Sequence, residues 1–344
     1  MATDGLALTA DVAARGKLSA VRARFYDDRY VACFVPKHVD DPSLGAMINR
    51  GQYARVAAIG SVIEQFMTAA GRETSQIISL GAGLDSRFWE LRDAALLPAR
   101  YIEVDQHSVV GRKSTLVASS EKLLRALPEG RACCSSTGID SERYKCFACE
   151  LTDVDALSAA LAAAGWEAAA PTLIIAECLF VYMKPAAAAG LIRWFGESCE
   201  HAVLTAYEQV SPSDPFGMMM VRNLHERGCP LLGIHGCPTT AAQEERALSA
   251  GWARAEALEM NSFYDRVFTD AERRRLRGLE LLDELEEFQM LLRHYCTVVA
   301  VKDSPGSPAL FEALSLSAPL DRPPLEAAKQ AARGGAEGGA EGGA

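Results

Sequence analysis

The chain has 344 residues, of which 49% are hydrophobic and 23% are charged, and its formal net charge at neutral pH is −10. This composition predicts a globular protein with a sizeable core, and the excess of acidic residues argues against unassisted binding to nucleic acid. Without an apolar run long enough to cross a membrane or an N-terminal secretory signal, the sequence predicts no membrane contact and a cytoplasmic or additionally nuclear location.

The ten cysteines predict reduced thiols rather than a disulfide framework. Cys33, Cys178 and Cys296 lie in apolar segments, where a free thiol behaves as a small hydrophobic group. Cys146 and Cys149 form a CxxC pair, but no second pair lies at the spacing of a zinc site. We therefore predict no metal site.

An N-terminal helical cap is predicted from about residue 10 to residue 70. Its last helix, Gln52 to Ala70, carries apolar residues at helical spacing and is expected to end at Gly71. Arg55 lies near the start of this helix. A lone arginine at such a position is usually solvated, but this one could also point a cation toward the glycine turn that follows the helix in the sequence.

That glycine turn directly follows a short apolar strand, Ile77 to Leu80. Gly81 and Gly83 permit a tight turn and a close ligand approach, whereas the third glycine of the dinucleotide fingerprint is replaced by Ser86. Asp105 lies 22 residues after Gly83, at the end of the next apolar strand, where its carboxylate can accept hydrogen bonds from both hydroxyls of a ribose. The pattern favours S-adenosylmethionine over NAD, although a similar turn also occurs as an ordinary strand-to-helix connection.

The next segments continue an alternation of strands and helices. Residues 123–143 predict a loop, and the strand after it ends at Glu150 and Leu151. The most apolar strand begins at Pro171 and is interrupted by a single acid, Glu177. Ligands of open α/β sheets bind at the carboxyl ends of strands, which makes Glu177 a site candidate. A capping or solvent-exposed acid is the alternative.

A single domain is expected over residues 1–303. It includes an insertion at about 211–237, rich in proline, methionine and glycine, with one helix that could cover the site. A long helix is expected from Thr269 toward His294, followed by a last strand from Tyr295 to Val301. The bias toward alanine, glycine, proline and glutamate beyond it predicts a disordered tail, 304–344, that forms no core.

Several motifs in this chain together resemble the leucine carboxyl methyltransferase family. In order, they are Ile48 to Gly51 with Arg55, Leu80 to Asp85, Tyr101 to Asp105, Ile175 to Cys178, Tyr207 to Val210 and Arg293 to Cys296. The resemblance runs from about Lys17 to Val301. It implies an α/β protein of the class I S-adenosylmethionine-dependent methyltransferase fold, with a seven-stranded, mostly parallel sheet, helices on both faces, N-terminal helices and an insertion after strand five.

The resemblance also implies an activity and a partner. Members of the family transfer a methyl group from S-adenosylmethionine to the α-carboxylate of the C-terminal leucine of the type 2A protein phosphatase catalytic subunit. The phosphatase is thus the implied protein substrate of an enzyme expected to be a monomer. The related tRNA wybutosine methyltransferases, which carry a long kelch-repeat region for which this chain has no room, and small-molecule O-methyltransferases are the alternatives.

By the same resemblance, seven residues are implied to bind the cofactor: Lys17, Arg55, Gly81, Asp105, Glu150, Leu151 and Glu177. Gly81 matches the cofactor turn and Asp105 the ribose acid. Glu150 and Leu151 match the adenine-side pair, in which the family commonly has aspartate at the first position.

The three charged residues among the remaining matches are placed at the methionine end of the cofactor. Arg55 matches the arginine that faces the methionine carboxylate, Glu177 the acid after strand four, and Lys17 the N-terminal cofactor lysine. No catalytic base is predicted, because an α-carboxylate with a pKa of about 3.5 is already an ionised nucleophile at neutral pH. Positioning is the expected mechanism.

Overall fold

The computed structural model describes residues 2–36, 43–127, 133–304 and 309–338. Its described strands form one sheet of nine, in the order β3-β4-β5-β2-β1-β6-β7-β9-β8. Their bounds are β1 Gln76–Leu80, β2 Arg100–Asp105, β3 Cys133–Ser135, β4 Gly138–Asp140, β5 Tyr144–Ala148, β6 Thr172–Glu177, β7 Ala202–Gln209, β8 Arg254–Glu259 and β9 Tyr295–Lys302.

The centre of the sheet is parallel, and β1 lies at its topological switch point. β1 pairs with β2 on one side and with β6 on the other, and the chain continues outward from each of these neighbours. All five residues of β1 are buried, as the apolar pattern predicts for a central strand. A crevice at such a switch point, outside the carboxyl ends of the strands, is where ligands bind in open α/β sheets.

Helices cover both faces of the sheet, which confirms the predicted α/β class. The bounds of the described helices are α1 Ala2–Arg22, α2 Ala46–Ala70, α3 Arg87–Asp93, α4 His107–Ala118, α5 Glu121–Arg125, α6 Val154–Ala163, α7 Pro185–Ser198, α8 Pro215–Glu226, α9 Thr240–Ser249, α10 Met260–Arg266, α11 Asp270–Leu279, α12 Leu285–Arg293 and α13 Glu326–Gly338. On one face α2, α10 and α12 pack against β7 and β9, and on the other α6, α7 and α9 bury their apolar residues. Within the described ranges, no helix has the length and apolarity needed to cross a membrane.

The prediction of seven strands is wrong, and so is that of a loop over residues 123–143, of which 128–132 lie outside the described residues. Ser120 accepts a hydrogen bond from the amide of Leu123 and starts α5, and β3 and β4 form a hairpin that pairs with β5 and extends the sheet. Leu123 and Ile139 are buried in the core. The sequence did not reveal the hairpin because its strands are short and rich in glycine, serine and cysteine. These strands are stabilised by pairing with β5 rather than by the strand propensity of their own residues.

The long helix expected from Thr269 toward His294 is two helices, α11 and α12. The buried guanidinium of Arg50 donates hydrogen bonds to the main-chain carbonyls of Leu276 at 3.2 Å and Glu280 at 2.9 Å. These carbonyls at the end of α11 are therefore satisfied by an arginine of α2 instead of by another helical turn. The periodicity of charged residues continues across the break, which is why the sequence did not reveal it.

The prediction that the tail cannot form a core is wrong for residues 309–338. Five of its large apolar side chains are buried: Phe311, Leu314, Leu316, Leu320 and Leu325. Phe311 stacks on Phe66 of α2 with ring centroids 5.3 Å apart, and Arg254 of β8 donates hydrogen bonds to the carbonyls of Phe311 and Leu314. The prediction also covered residues 305–308 and 339–344, which lie outside the described residues.

Candidate active site

The glycine turn after β1 is held against the end of β2. Gly81 and Gly83 both have positive φ, +60° and +57°, and a Cβ at position 81 would meet the side chain of Leu179 at 3.0 Å. The amide of Gly83 donates to one carboxylate oxygen of Asp105 at 2.6 Å, and the amide of Gln106 donates to the other at 2.7 Å. Each oxygen keeps a further acceptor position, so Asp105 can still receive two hydroxyl groups.

Next to this turn, five charged side chains meet at the carboxyl ends of β1 and β6. We call this set the charge cluster: Lys17, Arg55, Asp85, Arg87 and Glu177. Arg87 bridges the two carboxylates, at 2.5 Å from Asp85 and 3.0 Å from Glu177. Lys17 lies 2.9 Å from Asp85 and 3.7 Å from Glu177, and the Nε of Arg55 donates to Glu177.

The charge cluster is buried and carries one excess positive charge. Its side chains are between 6% and 17% exposed, and three cations face two carboxylates. Burial alone would raise the pKa of Glu177, but Arg55, Lys17 and Arg87 lower it well below its usual value. Burial likewise opposes the ionisation of Asp85, whose pKa is nevertheless lowered by Arg87 and Lys17. Both acids are therefore anions at neutral pH, and the cluster can accept one further negative charge.

The structure brings Lys17, Arg55 and Glu177 together, as their assignment to one end of a ligand requires. Arg55 is a partly buried member of the charge cluster with its side chain 17% exposed, so the reading of it as a solvated surface arginine is wrong. Arg87 was missed. It lies two residues after Asp85 at the start of a helix of seven residues, and nothing in its sequence context separates it from an ordinary surface arginine.

Glu150 and Leu151 lie at the same edge of the sheet, after β5 and next to the end of β2. The amide of Cys149 donates to the carbonyl of Asp105 at 3.1 Å, which sets the two strand ends side by side. Leu151 is buried, whereas Glu150 is exposed and accepts hydrogen bonds from the amide and hydroxyl of Thr152. A contact of this pair with an adenine ring stays a prediction.

A group of tyrosines lies on the other side of Arg55. The Arg55 guanidinium lies 5.1 Å from the ring centroid of Tyr207, and Tyr207 stacks on Tyr295 with centroids 5.3 Å apart. Tyr182 lies in the loop after β6, and burial raises its pKa, which Cys178 and Tyr295 raise further. We call Tyr182, Tyr207 and Tyr295 the tyrosine cluster. It adjoins the charge cluster through Arg55 and combines apolar ring faces with hydroxyl groups.

Glu208 positions the loop that connects these two clusters. Its carboxylate accepts hydrogen bonds from the amides of Leu179, Phe180 and Val181 at 3.2, 2.9 and 2.8 Å. Burial raises the pKa of Glu208 to about 7, although these amides and Arg246 act in the opposite direction. Because Leu179 contacts the Gly81 position, Glu208 fixes the distance between the loop after β6 and the glycine turn.

The N-terminal helix α1 crosses over the glycine turn. A Cβ at Gly83 would lie 3.4 Å from the Cβ of Ala10, and Asp11 forms a bidentate ion pair with Arg112 of α4. At the other side of the turn, Gly5 packs against the main chain of Gly228, which follows α8. The helix starts at Ala2, earlier than the predicted boundary near residue 10, and contacts the glycine turn through Ala10.

Comparison with known proteins identifies the family. Residues 7–196, more than half of the chain and including the whole charge cluster, match the sequence profile described as "Leucine carboxyl methyltransferase". The chain belongs to the leucine carboxyl methyltransferase family. Two relatives agree: "Leucine carboxyl methyltransferase 1 homolog" of Arabidopsis thaliana, 36% identical over 87% of this chain and 89% of its own length, and "Leucine carboxyl methyltransferase 1" of Rattus norvegicus, 36% identical over 87% and 90%.

A third relative carries a different name. It is the "tRNA wybutosine-synthesizing protein 4" of Homo sapiens, which is 33% identical over 85% of this chain. The alignment covers 43% of that protein, compared with about nine tenths of the two leucine carboxyl methyltransferases. This leucine carboxyl methyltransferase family member is a methyltransferase with S-adenosylmethionine as methyl donor.

The charges and the free hydrogen-bonding groups of this family member's site suit S-adenosylmethionine. Asp105 has free acceptor positions for ribose hydroxyls, because each of its carboxylate oxygens accepts one main-chain hydrogen bond from the glycine turn or from Gln106. The side-chain oxygen of Gln106 is buried next to Asp105 and has no hydrogen-bond partner among the described residues, so a ligand hydroxyl would satisfy it. The excess positive charge of the charge cluster suits a carboxylate at the other end of the ligand.

Proposed function

We propose that this protein is a carboxyl O-methyltransferase that forms a methyl ester on the α-carboxylate of the C-terminal leucine of the type 2A protein phosphatase catalytic subunit. The observation that supports this proposal most strongly is that Arg55 contacts both the charge cluster and the tyrosine cluster. Arg55 pairs with Glu177 in the charge cluster and faces Tyr207 in the tyrosine cluster. A cofactor end and an acceptor can therefore meet at Arg55 in a buried space.

The chemistry requires positioning rather than a proton transfer. A leucine α-carboxylate is ionised at neutral pH, since such groups have a pKa of about 3.5, and its oxygen is itself the nucleophile. When bound, S-adenosylmethionine supplies an electrophilic methyl group on a positively charged sulfur. Transfer of this methyl group to the carboxylate oxygen would leave the electrons of the broken carbon–sulfur bond on sulfur, so no residue of the chain has to accept or donate a proton.

In this account the residues of the chain bind and align the two reactants. Asp105 and the glycine turn hold the ribose, and the charge cluster holds the charged methionine end, with Arg55 toward the carboxylate. Arg55 uses its Nε for Glu177, and a guanidinium offers further N–H groups in a fixed plane. The tyrosine cluster surrounds the acceptor with ring surface that excludes water, which favours an in-line approach of carboxylate oxygen to methyl carbon.

The name shared by the Arabidopsis and rat relatives supports a leucine carboxylate as the acceptor. Transfer to tRNA, the alternative suggested by the human relative, is opposed by the net charge of −10, because binding to a phosphate backbone depends on basic residues. A small carboxylic acid as acceptor is the other alternative, and it would use the same clusters without a protein partner.

One experiment separates the three acceptor classes. The purified protein is incubated with S-adenosylmethionine labelled in its methyl group and with the phosphatase catalytic subunit, bulk tRNA or a panel of small carboxylic acids. We expect label in the phosphatase, released by mild base as methanol, and none in a phosphatase that lacks its terminal leucine. Label in tRNA, or in small acids with none in the phosphatase, would replace this proposal with the corresponding alternative.

A further inference from the structure

A buried lysine of the C-terminal helix α13 contacts two segments that lie next to the charge cluster. Lys329 is 4% exposed, and its Nζ donates hydrogen bonds to the carboxylate of Glu90 at 3.0 Å and to the main-chain carbonyl of Asp27 at 2.5 Å. Glu90 belongs to α3, and Asp27 lies in the connection that follows α1. The lysine therefore joins three parts of the chain that are distant in sequence.

Both partners of Lys329 lie next to the turn that carries the charge cluster. Glu90 comes three residues after Arg87 on the same short helix. Asp28, the neighbour of Asp27, accepts a hydrogen bond from the hydroxyl of Ser86, which stands between Asp85 and Arg87, and further hydrogen bonds from the amides of Tyr30 and Val31. Lys329 thus connects the two segments that hold the Asp85 to Arg87 turn.

The electrostatics of this region depend on the lysine. Burial raises the pKa of Glu90 to about 7, and Asp28 and Asp85 raise it further, whereas Lys329 acts in the opposite direction. Without the lysine, three buried carboxyl groups would face one another with less positive charge between them. An unpaired buried carboxyl group either becomes protonated or forces the surrounding residues to rearrange. In each case the ion pair that holds α3 in place is lost.

We propose that Lys329 is a positioning residue for the cofactor site. It fixes α3 and the Asp27–Asp28 segment relative to each other and thereby holds Asp85 and Arg87 of the charge cluster in place. The C-terminal segment is in this view a part of the cofactor site. The proposal rests on the assignment of the charge cluster to S-adenosylmethionine and does not depend on which acceptor is methylated.

The test compares Lys329→Met with Arg333→Met in the full-length chain. Arg333 is the matched control, because it lies one helical turn further along α13 and pairs with Asp27 through side chains that are 46% and 40% exposed. Binding of S-adenosylhomocysteine is measured by calorimetry, and the KM for S-adenosylmethionine and kcat are measured below the melting range of all variants. We expect Lys329→Met to weaken cofactor binding about tenfold with little change in kcat, a size typical of coupling between contacting residues. Arg333→Met should change neither quantity.

A second variant pair separates positioning from general support of the fold. The double variant Lys329→Met with Glu90→Gln should lose less cofactor affinity than the sum of the two single variants, because the unpaired acid is removed with its cation. Should Lys329→Met fail to fold, Lys329→Gln carries the same test, since it keeps a donor for the Asp27 carbonyl and lacks only the charge. A lower melting temperature with unchanged cofactor affinity, or equal losses in the Arg333 control, would overturn the proposal. Because S-adenosylhomocysteine binds without an acceptor, the result is independent of the proposed leucine substrate.

Discussion

Among single residues, Arg87 is the most deeply buried cation of the charge cluster, and it donates hydrogen bonds to both carboxylates. Within this cluster Lys17 hydrogen-bonds only to Asp85 and Arg55 only to Glu177, whereas Arg87 lies 2.5 Å from Asp85 and 3.0 Å from Glu177. A buried carboxylate is stable only when it is paired and hydrogen-bonded. The arrangement of the two acids therefore depends on this guanidinium.

Replacing Arg87 by methionine should damage both stability and cofactor binding. Breaking a buried ion pair from one side costs about 3 to 5 kcal/mol of unfolding free energy, and the displaced carboxylates should raise the KM for S-adenosylmethionine at least about tenfold. Urea unfolding and steady-state kinetics measure the two effects. Arg92→Met on the same helix is the control, because that side chain is 41% exposed. Normal cofactor affinity in Arg87→Met would exclude the charge cluster from the cofactor site.

Glu208 should make the stability of the protein depend on pH in an unusual direction. Its pKa rises from a usual value of 4.5 to about 7 on folding. As pH increases from about 4.5 to about 7, the unfolded chain loses this proton first, so the folded state binds more protons and stability falls, by about 3 kcal/mol in total, before levelling off. The difference in unfolding free energy between wild type and Glu208→Gln, measured by urea titration across this range, should follow that curve. A difference that stays constant with pH would show that Glu208 titrates normally.

The sequence revealed some of these residues and not others for a physical reason. Asp105 and Glu177 stand at the ends of apolar strands, where an acid is conspicuous and where ligands of α/β sheets bind. Arg87 and Glu208 act through contacts to residues far away in the chain, namely Glu177 and the loop amides after β6. Their roles depend on the strand order, which the local pattern does not contain.

At the scale of helices and strands, the elements that were predicted correctly have a local sequence signal, whereas those that were missed depend on packing against residues far away in the chain. The strand β1 and the helix α2 were predicted because continuous apolar runs and a 3.6-residue period are local signals. The C-terminal segment was missed because its apolar side chains are diluted among alanine, glycine and proline. Phe311 and its neighbours are buried only because α2 and β8 provide the opposing surface.

Removing the Phe311 side chain should therefore destabilise the whole protein. Phe311 is fully buried against Phe66, and a phenylalanine-to-alanine change in a core costs about 3 to 5 kcal/mol. Thermal and urea unfolding of Phe311→Ala measure the loss, with Glu312→Ala, an exposed neighbour, as the control. An unfolding free energy equal to that of wild type would mean that the segment is not packed on α2 in solution.

At the scale of the whole molecule, α1 contacts the glycine turn, and the insertion that carries α8 packs against the loop after β6. The amino end of α8 is fixed by Asp214, which accepts a hydrogen bond from the amide of Gly217 and lies 2.8 Å from the Nε2 of His294. Met218 and Met219 on α8 are 56% and 44% exposed, so they are surface residues and not ordinary core. Flexible methionine side chains are suited to contact with a protein partner.

An intact phosphatase should consequently be a better substrate than its isolated tail. A short peptide gains only the contacts in the pocket and loses more entropy on ordering, whereas the folded protein adds contacts at the rim and presents its tail at high effective concentration. We expect kcat/KM for the intact catalytic subunit to exceed that for a tail peptide by about a hundredfold or more. Met218→Ser with Met219→Ser should reduce this advantage and leave S-adenosylhomocysteine binding unchanged. Equal kcat/KM values for the peptide and the intact protein would show that the folded phosphatase adds no contacts to those of its tail.

The atom that receives the methyl group distinguishes a leucine carboxyl methyltransferase from every alternative enzyme. The phosphatase catalytic subunit is incubated with this protein and S-adenosylmethionine, digested, and its C-terminal peptide is analysed by mass spectrometry before and after mild base. We predict one added methyl group, located on the terminal leucine carboxylate and lost in base, and no modification in a phosphatase without that leucine. A methyl group that resists base, that lies on another residue, or that persists after deletion of the leucine would contradict this prediction.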